Sequence, residues 1–117
     1  MGNQYTDFTK GISHTAIAPA SSGVNSLVAA PGANKRLCIV GYRLSASAAV
    51  EAQFYSGTTA TTLSGTFYMD ALDVIGEPTG PYPVFDLPAN KAFGVDLNGA
   101  TVCGGYVKYR TISQVNS

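Results

Sequence analysis

The run "KRLCIVGYRLSAS", Lys35–Ser47, decides the fold. Leu37 and Ile39 share one side of an extended chain, because side chains in a strand change sides at every residue. Past Gly41 the apolar positions are Tyr42 and Leu44, which have the opposite parity. A strand that buries all four on one side needs an extra residue at the glycine, and that is a β-bulge. The run therefore predicts a long strand, buried on one face and bulged at Gly41.

The same punctuation continues on both sides. "VNSLVAA", Val24–Ala30, is a short strand closed by the turn signal "PGAN". "VEAQFYS", Val50–Ser56, alternates around Val50, Ala52 and Phe54, and "TTLSGTFYM", Thr61–Met69, follows it. "DALDVIGEPTGPYP", Asp70–Pro83, reads as a long loop holding three prolines. "VFDLP", "AFGVDLN" and "TVCGGYVKYRTI" complete the series, the last with Val107 and Tyr109 alternating against Lys108 and Arg110. No stretch has helical period. About eight strands with turn signals every eight to twelve residues predict an all-β, antiparallel β-sandwich of jelly-roll type. Its expected interior is Leu37, Ile39, Leu44, Phe54, Phe67, Phe93, Val95, Val107 and Tyr109.

Residues 1–23 lack a sustained period and end in "APASSG". They read as an extended N-terminal arm that contributes one strand around Ser13–Ala18, with the sandwich domain spanning 24–117. Isolated apolar residues build no core of their own, so Tyr5, Phe8, Ile12 and Ile17, with Lys10 as a charged contact, are the expected anchors on a partner.

Composition narrows the function. The chain has 117 residues, 45% hydrophobic and 12% charged, so it can bury a core and is not of the disordered type. Small polar residues and glycine take the place of charge, and such surfaces lose little side-chain entropy on contact with another protein. Seven basic and seven acidic residues cancel, which argues against nucleic acid as a partner and permits self-association. No apolar run has the length of a membrane span, and no secretory signal is expected.

Chemistry-bearing residues are sparse. His14 is the only histidine and lies in the arm. Cys38 and Cys103 lack paired spacing and fall in predicted strands, where a packed free thiol is the usual finding. Asp70, Asp73 and Glu77 share the long loop but lack the spacing of a calcium loop. No catalytic residue, metal site, cofactor or small-molecule substrate is expected. Lys35, Arg36 and Arg43 on one strand, and Lys108 and Arg110 on the last, would form a basic stripe if the two strands are neighbours, suited to an acidic protein surface. Gly104 and Gly105 would leave strand backbone uncovered there. In the loop region, Tyr68, Met69, Pro81, Tyr82 and Phe85 have the aromatic and methionine character of an oligomer contact.

The segment "ANKRLCIVGYRLSASAAVEAQFYSGTTATTLSG" resembles a class of small virion proteins of tailed bacteriophages, and "VFDLPANKAFGVDLNGATVCGGYVKYRTI" looks like their closing strands. The likeness runs from about Ala33 to Ile112 and leaves out the arm and the Asp70–Pro83 loop. It implies a head decoration, or cement, protein: a compact β-sandwich, often a homotrimer, that sits on the outer capsid surface and clamps neighbouring major capsid subunits. Such a protein is made in the host cytoplasm. A phage fibre or tail module, sugar-binding in some cases, is the alternative from the same fold, and a small β-sandwich hydrolase is the alternative from the enzyme class.

Overall fold

The structure, a computed structural model, describes residues 11–57, 61–80 and 82–113. Ten strands form two antiparallel sheets. Sheet A contains β1 (Ser13–Ile17), β3 (Lys35–Ala46), β7 (Val74–Glu77), β8 (Phe85–Ala89) and β10 (Cys103–Ser113). Sheet B contains β2 (Gly23–Val28), β4 (Val50–Ser56), β5 (Thr61–Thr62), β6 (Phe67–Met69) and β9 (Phe93–Leu97). The strand order is β1-β10-β3 followed by β7 and β8 in sheet A, and β2-β9-β4 followed by β5 and β6 in sheet B.

Each last position is one interrupted strand. β7 pairs with Tyr42–Ser45 and β8 with Arg36–Ile39, so together they run antiparallel along the same edge of β3. β5 and β6 do the same along β4. The loop expected over Asp70–Pro83 therefore holds a strand, because Val74 to Glu77 find backbone partners on β3 that local sequence does not advertise. Proline interrupts this edge, as it must where a backbone donor is missing.

The bulge lies where parity places it. Lys108 pairs with Gly41 and Tyr109 with Ile39, which leaves Val40 as the extra residue of β3. Leu37 and Ile39 before it, and Tyr42, Leu44 and Ala46 after it, all enter the same core. The interruption between β7 and β8 crosses the bulge: Gly80 N donates to Val40 O at 3.2 Å and Val84 N to Ile39 O at 2.6 Å. A Cβ on Gly41 would come within 2.9 Å of Thr79 Oγ1 and 3.0 Å of its backbone. Glycine is required there by space, and at Gly105 by conformation as well. Gly105 has φ 152°, and its Cβ would lie 1.9 Å from Arg43 O.

Phe54 is the hub of the interior. Its ring centroid lies 5.4 Å from Phe93, 4.8 Å from Tyr42, 5.6 Å from Phe85 and 6.0 Å from Phe67. Tyr42 and Phe85 come from sheet A and the others from sheet B, so this cluster joins the two layers. Seven of the nine expected core residues are fully buried, and Phe67 and Tyr109 pack half-buried at the margin.

The strand expected around Ser13–Ala18 is present as Ser13–Ile17, an edge strand of sheet A. Two expectations are corrected here. Ile17 is 6% exposed in the sandwich's own core rather than an arm anchor. Residue 23 thus does not separate an arm from the body, because β1 already hydrogen-bonds along β10. Tyr5, Phe8, Lys10 and Pro81 lie outside the described residues.

Truncating Phe54 to Ala should cost about 3–5 kcal/mol, read from urea denaturation, a large share of the roughly 5–15 kcal/mol that such a domain has. Gly41→Ala should cost about 1–3 kcal/mol through crowding against Thr79. A neutral Gly41→Ala would show that the crossing segment moves freely and does not pin the bulge.

Candidate functional site

Neighbouring β3 and β10 bring the basic residues together. The register places Tyr106 opposite Arg43, Lys108 opposite Gly41, Arg110 opposite Cys38 and Ile112 opposite Arg36. On the other side of β10, His14 lies opposite Lys108. Residues paired directly across strands point to the same face, so Arg36, Arg43, Lys108, Arg110 and His14 share the outer face of sheet A. Lys35 has the opposite parity and sits exposed at the start of β3, off this stripe.

Tyr106 anchors the stripe. The His14 ring stacks on it at 5.3 Å, and Lys108 Nζ lies 5.6 Å from its centroid. Arg36 pairs with Asp86, whose register opposite Cys38 puts it on the same face. A groove of about 330 Å³ runs beside Arg43, bounded by Tyr106, Val74, Glu77 and Pro78 with Gly76 as its floor.

The outer face of sheet B has the opposite character. Glu51 faces Tyr68, and Asp96 lies between Val24 and Gln53. Among the described residues, the strands of this face bear no Lys or Arg. A second groove of about 310 Å³ is lined by Glu51, Tyr68, Asp70 and Asn98. Asn98 is fixed there, since Glu51 N donates to its Oδ1 at 2.9 Å.

The residues expected to form one oligomer contact are not together. Met69 is 3% exposed, paired with Val50 and buried in the core. Phe85 is directed inward beside Ile39 and stacks among Tyr42, Phe54 and Phe93. Strand pairing turns both inward, leaving Met69 buried and Phe85 half-buried against the core. Tyr68 and Tyr82 are exposed, but Tyr68 is on the outer face of sheet B and Tyr82 in the segment between β7 and β8 of sheet A. Ile12 is half-buried just ahead of β1.

One end of the sandwich carries a feature that the sequence reading missed. Of the six large apolar side chains exposed among the described residues, Val24, Tyr68, Leu72, Val74 and Val102 lie in or next to the connections at the end that holds the β3–β4 turn. These connections are tied to each other through the backbone. Ala46 N donates to Asp73 O at 3.1 Å, Ser47 N to Val102 O at 3.0 Å, and Cys103 N to Pro19 O at 2.9 Å. Leu72 is 83% exposed and has φ 71°, with its N–H donating to Ala46 O at 2.7 Å. A bulky residue in left-handed backbone is a genuine outlier, and the surrounding bonds hold it there.

The titratable groups of the interior serve packing. Cys38 and Cys103 are free and buried, Cys38 on the outer side of sheet A and Cys103 in the core. Burial pushes both thiols up, opposed at Cys38 by the nearby Arg36 and Arg110 charges. Burial also raises the phenols of Tyr42 and Tyr55, helped by Glu77 and Asp96 respectively. Among the described residues no three of His, Cys, Asp and Glu gather to hold a metal ion. No family model matches the sequence, and comparison with curated proteins and with solved structures yields no match.

A pH dependence follows. The four raised groups keep their protons in the folded protein to higher pH than in the unfolded chain. Stability from them is complete below about pH 8.5 and declines as pH rises past the unfolded thiol and phenol values of about 8.5 and 10. Urea midpoints should fall above that point, and iodoacetamide at neutral pH should label neither cysteine until the chain unfolds. Rapid labelling of the native protein would contradict this.

Proposed function

We propose that the chain is a structural virion protein of the head decoration class, binding the outer surface of a phage capsid, where it clamps neighbouring major capsid subunits as a homotrimer formed on the shell. The single observation that carries this reading is the rigid apolar end. Leu72 accepts a strained backbone and near-complete exposure at once, and neither helps the isolated fold. Both costs make sense where a partner covers the side chain, since burial of a leucine contributes about 1.5–3 kcal/mol. Four connections braced by backbone bonds present it with little entropy left to lose on binding.

The strand order supports the same reading. With β5–β6 and β7–β8 each counted as one interrupted strand, the sheets read 1-8-3-6 and 2-7-4-5, an order that favours the jelly-roll form of the sandwich. The phage resemblance rests on segments that fall in β3, β4, β5, β8, β9 and β10 of that pattern. A sugar-binding fibre or tail module is the second reading, favoured by one feature: exposed Tyr68 beside Glu51, Asp70 and Asn98 in an open groove.

Cryo-electron microscopy of particles that carry the chain should show it outside the shell, across capsid-subunit junctions. Density confined to a tail or fibre would overturn the decoration reading. Leu72→Gly separates stability from binding. It should stabilise the free protein by about 1 kcal/mol through relief of the left-handed strain, yet lower occupancy on particles. Unchanged occupancy would remove Leu72 from the contact.

A further inference from the structure

The chain's formal charge is zero, but its charges are not mixed. Among the described strand residues, the outer face of sheet A holds Arg36, Arg43, Lys108 and Arg110 with the carboxylate Asp86, while Glu77 stands at the sheet edge. The outer face of sheet B holds Glu51 and Asp96, with Asp70 at its rim; its strands carry no Lys or Arg, and Lys91 stands at the far end beside Gly57. A neutral protein needs no such separation for solubility, which interspersed signs serve better. Each face also bears an exposed or half-exposed tyrosine beside a groove: Tyr106 next to Arg43, and Tyr68 next to Glu51.

We infer that the outer face of sheet A docks on the outer face of sheet B of a second copy of this chain. Arg43, exposed at the mouth of its own groove, enters the partner copy's groove at Glu51 and Asp70. Lys108 and Arg110 extend the contact along β10, where every second residue adds about 6.8 Å. The complementary charges fix the orientation and rule out the two like-on-like arrangements, A on A and B on B.

Geometry sets the strength and the form of this contact. Four strand positions at about 4.8 Å, over strands of about 20 Å, give roughly 400 Å² a side, half of the roughly 800 Å² in a stable standard interface. The contact is weak, and it fills at high local concentration such as an ordered array. The two faces lie on opposite sides of the sandwich, so the contact is heterologous and repeats from copy to copy rather than closing on a pair. It meets the apolar end only where Tyr68, Asp70 and Val74 line the two grooves, and it does not rest on the decoration reading.

Sedimentation equilibrium of the purified full chain tests this directly. At about 0.01 M salt the weight-average mass should climb with concentration without a dimer plateau, and at about 1 M salt it should fall to the 12.1 kDa monomer. Arg43→Glu with Lys108→Glu, or Glu51→Lys with Asp96→Lys, should each weaken association by about tenfold or more. All four changes in one chain, or a mixture of the two double variants, should restore it. That rescue separates docking from damage to the fold, because a misfolded variant cannot be rescued by its partner. A monomer at every concentration, a failed rescue with native thermal melts, or loss in only one double variant would each overturn the proposal. Binding of the sheet A face to an acidic protein or polysaccharide without self-association would overturn it too.

Discussion

Every inward side chain of β3 depends on the one extra residue at Val40–Gly41. β3 is twelve residues long and runs through the middle of sheet A, with β10 on one side and β7 and β8 on the other. Without the bulge, either Leu37 and Ile39 or Tyr42 and Leu44 would face solvent, since a shift of one residue reverses a strand. Burying those four large side chains outweighs the lost ladder bond at Val40, whose carbonyl is recovered by Gly80 N. The bulge also determines what lies outside. It gives Arg43 and Arg36 the same face although they stand an odd step of seven positions apart, and so it makes the basic stripe.

The fold was readable where its cause is local. Parity around Gly41, alternation in Val50–Ser56 and the Val107–Arg110 pattern each record burial within a few residues, and the sandwich follows from them. Met69 and Phe85 were misread because their direction is set by pairing with Val50 and Ile39, far away in the chain. Ile17 was misread for the same reason, through its place opposite Gly105. Nothing in "DALDV" marks Leu72 as left-handed, since neither glycine nor asparagine stands there to suggest it. The acidic face was half legible. Alternation puts Glu51 and Asp96 outside their strands, but only the pairing of β4 with β9 and β6 brings their neighbourhoods together.

The molecule divides into three regions with different physics. The end with Leu72 and Val102 is apolar and braced, which suits a durable contact with weak salt dependence. The broad faces are polar and oppositely charged, which suits weak, oriented and salt-sensitive contact. The thiols and phenols buried within and against the sheets stay protonated at neutral pH. On the proposed reading, a single small domain addresses a shell through one surface and its own copies through others.

Hydrogen–deuterium exchange on the chain, free and bound to the particles that carry it, tests the central claim most directly. The account predicts added protection in the connections 70–73 and 98–102 on binding, with the segment between β7 and β8 unchanged. Protection confined to the segment between β7 and β8, or none at 70–73, would contradict it.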